Sequence, residues 1–409
     1  MQLKHAFNNL FRNKRRSAMI IVLLSFSTAI IYITLAYLGA TYFGIRMGYQ
    51  YQNGFIQLAA SGYYDDTLEK KPILDKQTLL SLEDYFSHKV DITSYNYELD
   101  FDGLIGTDRN STILAGVGVD TEKSSTGGAA GWGEIESGRS LLPGDTEEMV
   151  IGRGVAAKIG AVPGDWVVLM GRTDRGQMNL LNGLVTGITT SGNRDADNFY
   201  AVAPLTFAQN VRNTDGIDRI LIFMDSDKGD DKYIQALKSD IDKYIHENGL
   251  TVDMRTWREL SPMYDDLKEM YDFIFLFLKI ILMAMVFLSI TELLSMTFFE
   301  RFRELGTLRA MGNSKGEVAA LLFTETIYYT LIGIILGLLL GYFSATIINA
   351  LQLQWRPPGG TIEYPFSFLK KPEFMIQPAL LITFSSLTAA LIPAWKARNL
   401  EIIEALSYE

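Results

Sequence analysis

The sequence predicts a helical membrane protein, with four transmembrane helices and a large extracytoplasmic α+β domain between the first and second. Three observations carry this reading. Apolar runs over 17–44, 273–299, 318–350 and 374–393 reach the roughly 20 residues that cross a hydrocarbon core. The long stretch 45–272 between the first two runs is polar; over 46–272 it holds 22 Lys/Arg against 37 Asp/Glu, a balance of −15 where the whole chain has −10. The short flanking segments carry basic clusters at alternate ends of the runs, as the positive-inside rule requires of a four-span chain.

Lys4, Arg12, Lys14, Arg15 and Arg16 precede the first run, with no acid among residues 1–16, and this keeps the N-terminus in the cytoplasm. Leu3, Phe7, Leu10 and Phe11 share one face at helical spacing, so 1–16 is expected to form an amphipathic helix in the headgroup layer. The first run, 17–44, is too long for a signal-peptide core and reads as an uncleaved anchor. Within 45–272, Thr112–Val119, Trp166–Met170 and Arg219–Met224 read as strands. Lys76–His88 and Asp230–Asn248 read as helices, the latter from the recurrence of Tyr233, Leu237, Ile241 and Tyr244/Ile245 before Gly249. The loop 300–317 then lies inside, 351–373 outside, and the tail 394–409 inside with Lys396 and Arg398. Pro393 is expected to close the fourth run.

Little of the chain points to catalysis. The acidic excess is opposite to the basic stripe of a nucleic-acid binder. With no cysteine, disulfides, Cys-ligated zinc and thiol nucleophiles are excluded. His5, His88 and His246 are far apart, and no metal set is expected. The pairs Asp65-Asp66, Glu147-Glu148 and Asp230-Asp231 diverge on either a strand or a helix and read as solvated turns. The glycine-rich loop 126–133 lacks the order of a phosphate cradle.

Within the apolar runs, Gly333, Gly337 and Gly341 form a flat stripe where a second helix can approach closely. Packing between spans of one chain is the expected use, and a contact between subunits is the alternative. Glu292 and Glu325 lie about 12 Å in from the loop end. Hydrogen bonds to nearby Ser289, Thr291 and Tyr328 are expected to hold them; a proton or substrate path is the alternative.

The segment 300–314 carries the strongest functional signal. Glu300, Arg301, Arg303, Glu304 and Arg309 alternate in sign; Leu305, Leu308 and Met311 form an apolar ridge at helical spacing; and Gly312 with Asn313 ends the helix. A short, charged, helix-prone cytoplasmic loop is a docking element for a soluble partner.

These residues resemble the bacterial permease family typified by the cell-division permease, the macrolide exporter and the lipoprotein-releasing permeases (type VII ABC systems). Asn9–Arg16 is similar to the family's basic entry. Glu300–Gly306 with Leu308–Gly312 is similar to its E-R-x-R-E-I-G-x-x-R-A-x-G loop. Glu325 matches its acid early in the next span, and Ile392–Arg398 with Glu404-Ala405-Leu406 matches its ending, although Ile403 stands where a proline is usual. Glu136–Ser140, Val150–Gly152 and Ala156–Asp165 are similar to its periplasmic core, and Trp257–Leu260 looks closest to the lipoprotein-releasing branch.

The resemblance implies a bacterial inner-membrane permease with both termini cytoplasmic. It implies a separate cytoplasmic ATPase dimer that holds ATP and Mg, leaving no cofactor or catalytic residue on this chain. A second permease copy or paralogue, membrane lipid and a periplasmic carrier or adaptor are the further partners it implies. The implied action is mechanotransmission: ATP-driven movement of the outside domains that extracts or exports a lipoprotein, lipid or amphipathic molecule. The alternative is regulation of an extracytoplasmic enzyme such as a cell-wall hydrolase.

Overall fold

The structure, a computed structural model, describes residues 14–68, 70–123, 133–225, 231–300, 302–356 and 360–399. Residues 1–13 of the expected interfacial helix, 126–132 of the glycine-rich loop and the tail from 400 onward lie outside the described residues. In order the chain forms α1 (Lys14–Asn53), β1 (Ile56–Ala60), α2 (Lys76–Ser87), β2 (Ser94–Gly106), β3 (Ser111–Val119), β4 (Glu134–Gly138) and β5 (Glu148–Gly152). There follow α3 (Arg153–Ile159), β6 (Trp166–Arg172), β7 (Met178–Thr190), β8 (Tyr200–Pro204), α4 (Leu205–Arg212), β9 (Arg219–Phe223), α5 (Asp231–Glu247) and β10 (Val252–Thr256). The rest is α6 (Trp257–Leu260), α7 (Pro262–Glu300), α8 (Phe302–Ala310), α9 (Lys315–Ala350), β11 (Gln354–Trp355), β12 (Tyr364–Pro365) and α10 (Ile376–Arg398).

Two compact units result: a membrane unit (Met1–Gly44, Asp266–Leu353, Pro365–Glu409) and a domain (Ile45–Asp265 with Gln354–Tyr364). Among the described residues, four helices are long and apolar enough to span a membrane. They overrun the apolar runs, because hydropathy marks where lipid begins, whereas a helix ends only at a stop signal. α1 continues to Asn53, where Gly54 at φ +69° supplies the left-handed stop. α7 begins at Pro262, a residue suited to the first helical turn.

The fourth span corrects one expectation. Pro393 does not end it; α10 runs on to Arg398. Pro393 lacks the N–H that would bond the Ala389 carbonyl. The Thr291 hydroxyl on α7, bonded to Phe287 O at 2.7 Å, lies 3.5 Å from that carbonyl. A hydroxyl from a neighbouring helix at a proline-freed carbonyl is how a membrane helix tolerates the break.

The glycine stripe sits against α1. A Cβ at Gly333 would fall 2.5 Å from Leu24 Cβ, one at Gly337 2.5 Å from Ser25 O and Thr28 Cβ, and one at Gly341 2.8 Å from the Tyr32 ring. Leu24, Thr28 and Tyr32 recur every fourth residue, so one ridge of α1 lies in one groove of α9. The stripe is therefore an intrachain contact, and the alternative of a subunit contact does not apply to it. Ile20, Leu24, Ile31, Val286, Ile290, Tyr329, Ile334 and Ile382 complete the bundle core.

The domain has two lobes that share β2. Strands β2, β3, β8, β5, β7 and β6 are hydrogen-bonded in that order, and β6 returns to β2, which closes a six-stranded barrel. Leu99, Phe101, Ile105, Leu114, Met149, Ile151, Val167, Leu169 and Val185 fill it. A ring this small leaves no room for a full set of inward side chains. Gly116 faces the Phe101 ring and Gly171 faces Val211, each too closely for a Cβ. The first half of β2 instead joins β9, β1 and β10 in an antiparallel sheet. Leu82 and Phe86 of α2 and Ile234, Leu237, Ile241 and Ile245 of α5 cover that sheet. Here Ile234, not the expected Tyr233, takes the inward position; Tyr233 is half-exposed.

Candidate functional site between the second and third spans

α7 ends at Glu300 and α8 starts at Phe302; Arg301 and the side chain of Leu308 lie outside the described residues. α8 stops as its sequence dictates. Met311 N donates to Thr307 O at 2.9 Å, Gly312 N to Arg309 O at 3.1 Å, and Gly312 takes φ +103°. The chain then enters α9 through a capping box: Ser314 N donates to Glu317 Oε2 at 2.7 Å and Glu317 N to Ser314 Oγ at 3.2 Å. Arg309 donates to Asn313 O at 2.9 Å across the turn. One stop signal and one start signal within six residues fix where α8 sits between its neighbours.

The burial pattern divides the predicted site residues into two sets. Leu305 is fully buried, packed with Phe298, Phe302, Val318, Leu322 and Ala397. This corrects the expected partner-facing ridge: Leu305 fastens α8 to its own bundle and is unavailable to a partner. Ala397 comes from the far end of α10, and Lys396 stands 5.5 Å over the Phe299 ring. The chain's ending thus braces the loop, a role the small residues of Ala394–Ala397 did not announce. The opposite side of α8 carries exposed Arg303, Thr307, Ala310 and Met311, with Met311 71% exposed. These four recur at i, i+4, i+7 and i+8, so they form one face. Glu300 and Glu304 are engaged within the chain.

The two intramembrane acids separate as well. Glu325 is buried and engaged, one turn from Tyr329, whose hydroxyl meets Ser17 Oγ at 3.2 Å. Glu292 is exposed and makes no hydrogen bond or ion pair among the described residues. The expected bonds from Ser289, Thr291 and Tyr328 do not form at Glu292, and Thr291 bonds its own helix instead. Glu292 shares an outward face of α7 with Met285, Leu288, Met296 and Phe299, all about half-exposed or more.

In the domain, a buried ion network joins the two lobes. Arg219 donates to Glu98 at 2.7 Å, to Asp100 at 2.5 and 2.7 Å, and to the Tyr63 hydroxyl at 2.9 Å. Arg212 holds Asp218 at 2.7 Å and Asp174 at 2.8 Å. Burial pushes the Glu98 carboxyl up to about 7 against the pull of Arg219, and Glu98 Oε1 has no donor. Burial also pushes the Tyr63 hydroxyl up to about 12. Burial acts to lower Arg219, but Glu98 and Asp100 hold it well above the usual guanidinium range. This network was not foreseen, because its members lie on β2, α4 and β9 and in three separate loops, distant in sequence.

Four long apolar helices, a folded domain inserted between the first and second, and a braced helical loop between the second and third are the architecture of an integral membrane protein. Residues 274–402 match the model described as FtsX-like permease C-terminal. The chain is 27% identical over 127 residues to an uncharacterized ABC transporter permease, YknZ, of Bacillus subtilis (strain 168); the match covers 30% of this chain and 28% of that relative. Among solved structures, the periplasmic region of MacB from Actinobacillus actinomycetemcomitans is similar at a TM-score of 0.38 and 13% identity, over 51% of this chain and 92% of that one. The extracellular domain of YknZ from Gram-positive bacteria is similar at a TM-score of 0.35 and 10% identity, over 49% and 99% of the two chains.

Proposed function

We propose that this chain is the permease subunit of an ABC transporter. In this reading a separate cytoplasmic ATPase dimer, holding ATP and Mg, grips α8 and drives motion of the inserted domain. The N-terminus, α8 and the tail are cytoplasmic and the domain is extracytoplasmic. The substrate is a lipoprotein, lipid or amphipathic molecule handled outside or in the outer leaflet. The observation that carries the reading is the two-sided character of α8. Its buried side is locked to the spans by Leu305, while Arg303, Thr307, Ala310 and Met311 stand clear. A lever needs both features: a load on one side moves the spans only if the other side is fixed to them.

A second copy of the permease, or a paralogue, accounts for the exposed face of α7. A carboxylate at bilayer depth is costly against lipid, so Glu292 supports a protein neighbour over that face. The ATPase contact is tested by co-purification from the native host, with mass spectrometry of the bound proteins. Arg303→Glu and Met311→Asp, both surface changes, should leave the protein inserted and folded yet lose the ATPase. Retention of the ATPase at wild-type levels by both variants would remove the assignment.

A further inference from the structure

The segment between the third and fourth spans is more than a connector. Residues 354–364 are part of the domain, although the sequence reads them as the middle of a plain loop. β11 and β12 pair as a short hairpin, and its far end is sewn to the loop that follows β7. Gly360 forms a β-bridge with Asn193, and Thr361 N donates to Gly192 O at 3.1 Å. The Thr361 hydroxyl meets that of Thr190 and lies 3.3 Å from Asp197 Oδ2. Asp197 is buried and also accepts from Thr190 Oγ1 at 2.6 Å, Ser191 N at 2.6 Å and Ser191 Oγ at 2.7 Å. Its two oxygens are therefore fully used inside the seam.

Beside this seam lies a cavity of about 300 Å³ whose wall brings together Arg153, Arg194 and Arg356. They come from three separate places: the start of α3, the loop after β7, and the strap itself. Asp197 is the one acid in that wall. Arg153 and Arg356 each keep a single ion-pair contact, to Glu136 at 3.1 Å and Glu363 at 3.3 Å. Arg194 makes no hydrogen bond or ion pair among the described residues. A guanidinium offers five N–H donors, so most of the donor capacity of the three is unspent.

We propose that this cavity binds a phosphate group, with Arg153, Arg194 and Arg356 as its ligands, and that the bound phosphate fastens the strap to the domain. Phosphate is preferred to carboxylate because three guanidinium forks match three anionic oxygens, where a carboxylate offers two. The space exceeds that of phosphate alone, which admits a single ester substituent such as glycerol. Because Arg356 is on the strap and the other two arginines are on the domain, the ligand crosslinks them. The site stands apart from ATPase coupling and is measured on the permease alone.

The test uses full-length protein in maltoside detergent, which carries no phosphate. Three probes are titrated by calorimetry: inorganic phosphate, glycerol 3-phosphate and dihexanoyl-phosphatidic acid, each of which presents at least three non-bridging oxygens. Saturable binding is expected, weakened at least tenfold by Arg194→Gln and by Arg356→Gln at an unchanged unfolding temperature. Arg194 has no contact to lose, so that variant stays informative if Arg356→Gln destabilises the strap. Binding of the soluble probes assigns the site to free phosphates, and binding of the lipid alone assigns it to a headgroup; either supports the proposal. No saturable binding of any probe, or affinities that Arg194→Gln leaves unchanged, would overturn it.

Discussion

The membrane unit and the inserted domain solve the same problem, burying polar atoms, in opposite ways. The bundle removes side chains: Gly333, Gly337 and Gly341 let α9 lie against Leu24, Thr28 and Tyr32 of α1, and Ser25 and Thr28 turn their hydroxyls back to Ile21 O and Leu24 O at 2.7 Å. The domain instead concentrates charge: Arg219 and Arg212 bind four carboxylates where β2 passes from one lobe to the other. Without water nearby, close apolar contact is the economical choice, whereas a buried ion network holds only if nearly every lone pair is met. The difference teaches where each unit is brittle: the bundle to added volume, the domain to altered charge.

Leu305→Asp should do the greatest damage. It loses a buried leucine, worth about 1.5–3 kcal/mol, and places a carboxylate among Phe298, Val318, Leu322 and Ala397. Loss of the monodisperse species in detergent chromatography is expected, and a normal profile would show that α8 is not anchored as described. Gly337→Leu comes next, since overpacking costs about 1–3 kcal/mol and Ser25 O and Thr28 Cβ already bound the site. A lowered unfolding temperature is expected, whereas Gly316→Leu, with only Ser314 nearby, should leave it in place.

Charge in the domain gives a pH signature. The folded state holds the Glu98 carboxyl near 7, above its ordinary 4.5. The folded protein therefore binds more protons than the unfolded chain between those values, and its stability falls as pH rises through that window. The loss is at most on the order of 3 kcal/mol. Glu98→Gln, which leaves Arg219 its contacts with Asp100, should flatten the unfolding-temperature profile between pH 5 and 7. An unchanged slope would assign the dependence elsewhere. Thr291→Val should have the smallest effect, below about 1 kcal/mol, because its contact with Ala389 O is long at 3.5 Å.

Much of the membrane unit was legible, because a 20-residue apolar run leaves few alternatives. The spans, the glycine groove and the helical loop were all readable from local sequence. What could not be read was nonlocal. β2 and β7 carry glycine, asparagine or acids in mid-strand, which weakens the alternation that marks a strand, and they are strands because a closed barrel pairs them on both edges. Leu305 and Met311 are both apolar on one short helix; which of the two is buried depends on Val318, Leu322 and Ala397 arriving from α9 and α10 to cover the Leu305 side. Arg356 sits in an unpatterned loop, and its convergence with Arg153 and Arg194 depends on where the strap lands.

The contrast between the two sides of α8 is the centre of the account, and the absence of native cysteine makes it directly measurable. Single cysteines are introduced by Met311→Cys, Arg303→Cys and Leu305→Cys, and each variant is crosslinked in membranes with a short thiol-to-amine reagent. The account predicts that the first two yield an adduct with the ATPase and that the third yields none. Equal crosslinking from Leu305→Cys, or no adduct from any of the three, would contradict it.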